Sequence, residues 1–124
     1  MELVWIGLGG AAGAVARYLV DGTVSNAFKG AFPLGTLVAN LSGSLVVGVL
    51  FALVIERGVL PQGIRAPAMI GFLGAYTTFS TLMLESWRLA EDGLIGMAAL
   101  NIGGSIALGL AAVFVGLAIG RAVL

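Results

Sequence analysis

Four long apolar stretches, almost free of charged residues and separated by short polar segments, dominate this sequence. A helix needs about 20 mostly apolar residues to cross the hydrocarbon core of a bilayer. The stretches predict spans at approximately residues 3–20, 33–55, 66–87 and 94–120. Charged residues make up only 10% of the chain, too few to cover a soluble domain of this length. We therefore expect an all-α, multi-pass membrane protein with one four-helix domain over residues 1–124.

The composition also excludes several kinds of chemistry. The chain has no His and no Cys, so the commonest zinc and copper ligands and all thiol reactions are absent. The formal net charge is zero, which gives no reason to expect a nucleic-acid partner. No acid–base pair converges in the sequence, and we do not expect an enzyme.

Basic residues are balanced between the two sides of the predicted bundle. Four spans place both termini on one side of the membrane, and the Lys/Arg bias of the flanks normally sets which side that is. Each side carries three basic residues: Arg57, Arg65 and Arg121 on the side of the termini, and Arg17, Lys29 and Arg88 on the other. Either another feature sets the orientation, or both orientations insert and assemble as an antiparallel, dual-topology homodimer.

Small residues recur at four-residue spacing in the spans. Gly9 and Gly13, like Gly116 and Gly120, form G-x-x-x-G pairs, which permit close helix contacts in membranes. These contacts could lie within one subunit or between two.

Ionisable residues are missing from the interiors of the spans. The nearest is Glu85, at the end of span three, which we interpret as an anchor at the membrane interface. A small multidrug exporter would need a membrane-embedded carboxylate to couple protons, so the bare spans disfavour that class. A scaffold protein that transports nothing is a second alternative.

Hydroxyl and amide side chains are the polar groups left at membrane depth. Thr36, Asn40 and Ser44 follow one another at four-residue spacing and form a stripe along span two. Asn101 and Ser105 repeat the pattern in span four. Such groups can bond one helix to another, or they can donate hydrogen bonds to an anion.

Span three has an unusually polar centre, GFLGAYTTFSTL at residues 71–82. Glycine and threonine are mediocre helix formers, and hydroxyls compete for backbone hydrogen bonds. The segment predicts a break in the helix, whose freed carbonyls could hold a cation. The alternative is an unbroken helix with hydroxyls bonded to the preceding turn. Phe79, within this segment, could present its ring edge to an anion or pack in the core.

Three segments resemble the signature blocks of the Fluc (CrcB) fluoride channels: GGAAGAVARY at 9–18, GTLVANLSGS at 35–44 and GFLGAYTTFST at 71–81. The resemblance covers essentially the whole chain, in order. It implies a passive, fluoride-selective channel that exports fluoride from the cytoplasm and relieves its toxicity. It also implies an antiparallel dual-topology homodimer in the inner (plasma) membrane, with two pores at the dimer interface and a central structural Na⁺.

The resemblance further assigns roles to individual residues. The backbone carbonyls of Gly74 and Thr77 match the sodium ligands. The residues that match the fluoride pathway are Asn40, Phe79, Ser80, Thr81, Ser105 and, near the vestibule, Arg17. Two positions depart from the family pattern: Leu82 stands where a second pore phenylalanine is usual, and Asn101 stands where some members have an aromatic hydroxyl.

Overall fold

The computed structural model describes residues 1–123, and these contain helices but no strand. The second helix continues into a π-helical turn, and the third consists of a short 3₁₀, a π and an α segment in succession. The bounds are α1 Glu2–Ala27, α2 Leu34–Leu50 with its π-helical extension Phe51–Glu56, α3 Gln62–Ile64 (3₁₀), Arg65–Leu73 (π) and Gly74–Tyr76 (α), α4 Phe79–Glu91, and α5 Ile95–Ala122.

Four helical segments among the described residues are long and apolar enough to cross a membrane: Glu2–Ala27, Leu34–Glu56, Gln62–Glu91 and Ile95–Ala122. The predicted number of spans is confirmed. The first helix runs to Ala27, past the expected end at residue 20, because its polar residues stay within the helix. Thr23 Oγ1 donates to the carbonyl of Leu19 at 2.8 Å, and Ser25 Oγ donates to Asp21 Oδ1 at 3.3 Å.

The third span is broken near its centre, as the sequence predicts. Helix α3 ends at Tyr76 and α4 begins at Phe79. The two residues between them are extended, Thr77 with φ −90° and ψ 153°, and Thr78 with φ −147° and ψ 123°. We call the segment Tyr76–Phe79 the break.

The G-x-x-x-G pair of α1 packs against α3 of the same subunit. A Cβ atom added to Gly9 would overlap the carbonyl oxygen of Pro67, and one added to Gly13 would overlap that of Phe72. Only glycine allows the two backbones to approach this closely.

The pair in α5 packs in the same way against α2. A Cβ atom on Gly116 would overlap the carbonyl oxygen of Leu45, and one on Gly120 would lie 2.6 Å from the Ala52 Cβ. Both G-x-x-x-G pairs therefore make contacts within the subunit.

Polar contacts fasten the ends of α2 and α5 to each other. Arg57 donates to the carbonyl of Gly120 at 2.9 Å and also to that of Val123. Arg121 forms a two-pronged ion pair with Glu56, in which both N···O distances are 2.8 Å. The basic residues complement the C-terminal end of the α5 dipole.

Candidate functional site

The side chain of Asn40 in α2 forms two hydrogen bonds with the backbone of the break. Its Nδ2 donates to the carbonyl oxygen of Thr78 at 3.1 Å, and its Oδ1 accepts from the Thr78 backbone N–H at 2.8 Å. One amide therefore satisfies both backbone polar groups of a residue that has left the helix. Unpaired, these groups would be costly at membrane depth.

The break deprives several carbonyls of their helical partners, among them those of Gly74 and Thr77. In an α-helix the N–H of residue i+4 donates to the carbonyl of residue i. The Thr78 N–H, which would bond Gly74, donates to Asn40, and the Thr81 N–H, which would bond Thr77, donates to Thr78 Oγ1 at 3.2 Å. Gly74 and Thr77 are the two carbonyls that the family resemblance assigns to sodium.

A third carbonyl beside the break has a charged partner. Arg17 of α1 donates from Nε to the carbonyl oxygen of Ala75 at 3.1 Å, and its side chain is half-buried. The structure thus places Arg17 against the last turn of α3.

Thr78 caps the N-terminus of α4, and its hydroxyl contacts those of Ser80 and Thr81. Its Oγ1 accepts from the Thr81 N–H, lies 3.4 Å from Ser80 Oγ and donates to Thr81 Oγ1 at 3.2 Å. Sequence reasoning did not single out Thr78 as a site residue. A threonine immediately before a helix start is the expected N-cap signal, and it could have identified Thr78.

An open groove of about 350 Å³ runs beside the break. It brings together four of the predicted site residues, Asn40, Gly74, Thr77 and Phe79, with Ser44 of the span-two stripe. The Phe79 side chain is 74% exposed at this groove. Leu82 also borders it but is only 8% exposed.

The remaining predicted residues lie outside this groove. Ser80 and Thr81 follow Phe79 on α4 and contact Thr78, and Arg17 contacts Ala75. Ser105 of α5 has a buried hydroxyl oxygen for which the described residues provide no hydrogen-bond partner.

Asn101 has a packing role in the subunit. Its Nδ2 donates to Ser86 Oγ at 2.9 Å, and the residue is 1% exposed. For the polar residues of span four, hydrogen bonding between helices was one of the two interpretations left open by the sequence. Asn101 makes such a bond, from α5 to α4.

A second, polar pocket of about 480 Å³ lies where the α1–α2 loop meets the end of α4. Its charged lining consists of Lys29, Glu85, Arg88 and Asp92. Glu85 and Arg88 share one stripe of α4 with Thr81, because they follow it at spacings of three or four residues, and Asp92 continues the stripe directly after the helix ends. A polar track along α4 therefore connects the break with this pocket, in which Glu85 lies half-buried among charged groups.

The donors that the break offers to a metal ion are neutral backbone carbonyls. Within residues 1–123, no group of three or more His, Cys, Asp or Glu side chains could hold a metal. Neutral backbone carbonyls at unwound helices are ligands for monovalent cations such as Na⁺. The freed carbonyls of Gly74 and Thr77 fit that chemistry.

Comparison with known proteins decides the family. The profile described as "CrcB-like protein, Camphor Resistance (CrcB)" matches residues 4–117. The chain belongs to the CrcB family. The resemblance seen in the three sequence blocks is thereby confirmed.

Curated relatives agree with this CrcB membership. A protein of Magnetococcus marinus is 43% identical over 121 residues, which cover 98% of each chain. A protein of Maridesulfovibrio salexigens is 46% identical over 120 residues, which cover 97% of this chain and 95% of the relative. Both carry the name "Fluoride-specific ion channel FluC". CrcB relatives are thus named as channels, in agreement with the expectation that this chain is not an enzyme.

Proposed function

We propose that this chain forms a passive, fluoride-selective channel that exports fluoride from the cytoplasm and so relieves fluoride toxicity. The observation that carries the proposal is the break in mid-span, bordered by hydroxyls and by the exposed ring of Phe79. The names of the relatives specify the ion.

The driving force needs no coupling machinery. A negative-inside membrane potential expels an anion with about 2.3 kcal/mol per charge for each 100 mV. The predicted spans 33–55 and 94–120 contain no ionisable residue, and the charged side chain that contacts the break, Arg17, keeps its proton and cannot relay protons, which suits a channel of this kind.

Neutral donors would bind fluoride without holding it too tightly. Ser80, Thr81 and Ser105 offer hydroxyls, and Phe79 offers the positive edge of its ring. The buried, unpartnered hydroxyl of Ser105 supports a place on the pathway, because an anion would satisfy it. Conduction requires such weak, multiple binding sites. Arg17 would raise the local anion concentration from its place beside the break.

An antiparallel homodimer would complete the site. Gly74 is exposed and Thr77 only half-buried in one subunit, yet irregular backbone at membrane depth must be covered by protein or line a cavity. A second, inverted copy placed on this face would cover the break and form two equivalent pores. The balanced basic residues support insertion of both orientations into the inner membrane.

Sodium would be structural at this interface. The Gly74 and Thr77 carbonyls of both copies would hold it, and its charge would join the two breaks. The chemistry that Na⁺ supplies is electrostatic only, with no part in a reaction.

Fluoride efflux from liposomes tests the proposal. Purified protein is reconstituted into vesicles loaded with fluoride or chloride, and valinomycin is added to relieve the electrical imbalance. We expect rapid, electrogenic fluoride release with no chloride release, read with ion-selective electrodes. Empty vesicles are the control. A folded protein that releases no fluoride would contradict the channel and favour the scaffold alternative.

A further inference from the structure

Helix α2 shapes the break through two positions one helical turn apart. Asn40 bonds both backbone groups of Thr78, at 2.8 and 3.1 Å. At Gly43, an added Cβ would overlap the Thr77 methyl group. The extended backbone of Thr77 and Thr78 therefore lies against a matching surface of α2.

We infer that Asn40 is a positioning residue for the cation site. The Asn40 amide does not touch the cation, but it accepts a hydrogen bond from the Thr78 N–H and so keeps the Gly74 carbonyl free to bind the cation. This inference deepens the proposed function and rests on it. It differs from a role for Asn40 as a fluoride ligand. The amide oxygen and at least one amide hydrogen of Asn40 are already committed to Thr78.

Without Asn40, the Thr78 N–H would need another hydrogen-bond acceptor. In an apolar environment an unpaired N–H takes the nearest acceptor that it can reach. Its helical acceptor is the carbonyl of Gly74, and that bond would extend α3 by winding Thr77 into the helix. The Gly74 carbonyl would then serve a backbone N–H instead of a cation.

Gly43 acts in the same direction by a separate contact. The space above its Cα holds the Thr77 methyl group, while the Thr77 hydroxyl donates back to the Leu73 carbonyl at 2.9 Å. A larger residue at position 43 would displace Thr77 and therefore its carbonyl, with Asn40 unchanged.

The main test uses Asn40→Leu, which keeps the side-chain shape and removes both hydrogen bonds. Purified protein in detergent is titrated with NaCl against N-methyl-D-glucamine chloride at constant ionic strength, and its thermal stability is recorded. Amide hydrogen exchange of the peptide covering residues 74–81 is measured in parallel. We expect the sodium midpoint to rise at least about tenfold, as for other residues that orient metal ligands. Exchange of the peptide should become faster.

Ser105→Ala is the matched control. It removes a polar group of the proposed pathway that has no hydrogen bond to the break, so we expect slower fluoride efflux with an unchanged sodium midpoint and unchanged exchange at 74–81. If Asn40→Leu behaves like Ser105→Ala, Asn40 belongs to the pore alone and the inference is overturned.

Asn40→Ser decides the question if Asn40→Leu does not fold, because its short side chain cannot bond both backbone groups of Thr78. It should raise the sodium midpoint in the same way, and an unchanged midpoint would overturn the inference. If the stability of the unsubstituted protein does not depend on sodium, the link between Asn40 and a cation is overturned. Fluoride efflux from that protein would still report separately on the proposed channel.

Discussion

At the scale of single residues, the exposed ring of Phe79 is the side chain whose position most directly suggests a role in conduction. It lies at the groove beside the break with 74% of its side chain exposed, although its neighbours include hydroxyls. Leu82, one turn later, borders the same groove but is buried in the subunit. The two positions differ in chemistry, and each supports its own prediction.

Phe79→Ile should slow fluoride efflux while the protein still purifies as an assembled, folded species. The positive ring edge is the part of the Phe79 side chain that can stabilise an anion, and isoleucine offers no such group. Phe114→Ile is the matched control, because Phe114 is 70% exposed on α5 and does not border the groove. Equal efflux from both variants would remove Phe79 from the pathway.

Leu82→Phe should be tolerated, with fluoride efflux at least equal to that of the unsubstituted protein. The added ring can enter the neighbouring groove of about 350 Å³ and need not displace the core. It would also supply the second ring that the family resemblance leads us to expect. Size-exclusion chromatography and vesicle efflux check the result, and aggregation would show that Leu82 packs in a closed site.

At the scale of elements, the third span consists of two helices that are joined by an extended pair of threonines. Thr78 begins α4 with a side-chain cap, and α2 supplies the hydrogen bonds that α3 lacks at its end. Close glycine contacts then fix α1 on α3 and α5 on α2. Capping and close backbone packing therefore determine this architecture together.

Thr78→Val should destabilise the protein by about 1 kcal/mol, because it removes the N-cap of α4 without changing the shape of the side chain. Thr78→Ser keeps the capping oxygen and should retain most of the stability. Thermal unfolding in detergent compares the two variants. A loss of stability in Thr78→Ser with none in Thr78→Val would show that the Thr78 methyl group, rather than its hydroxyl, stabilises the break.

Gly116→Ala should lower the thermal stability, at a cost of about 1–3 kcal/mol for an overpacked contact. Its new Cβ would overlap the carbonyl oxygen of Leu45. Gly103→Ala, on the same helix, would meet no atom of the subunit within 4 Å and should leave the stability equal or slightly higher. If the two variants unfold alike, the close α2–α5 contact is not present in the folded protein.

At the scale of the whole molecule, the proposed antiparallel homodimer rests on the balance of basic residues and on the exposed backbone at the break. Each side of the bundle carries three basic residues, so neither orientation is favoured. A subunit of either orientation leaves the freed carbonyls at its surface. The proposed function therefore requires both orientations in one membrane.

Added charge should separate the two orientations. Val59→Arg with Gly63→Arg adds two positive charges on the side of the termini, and Gly30→Arg with Ala31→Arg adds two on the opposite side; all four positions are exposed. Each double variant alone should insert in one orientation and lose fluoride efflux, because no inverted partner is present. Co-expression of the two should restore it. Full efflux from either double variant alone would contradict the antiparallel dimer.

The sequence by itself determined the four spans and the position of the break, whereas the charged side chain of Arg17, expected near the end of span one, contacts the break. The spans and the break position depend on local composition: charge-free length decides insertion, and the run of glycine and hydroxyl residues at 71–81 weakens the helix where it lies. The family blocks assigned Gly74 and Thr77 to sodium, and Asn40 and Phe79 to the fluoride pathway, and the structure places these four around one groove.

Only the tertiary structure decided what each of these residues contacts. Asn40 meets Thr78 across 38 positions of sequence, and Arg17 meets the Ala75 carbonyl across 58. From the sequence, the G-x-x-x-G pairs could have made contacts within one subunit or between two. In the structure they contact neighbouring helices of the same subunit. Such contacts depend on how the helices pack, because a polar side chain at membrane depth bonds whichever backbone group the packing brings within about 3 Å.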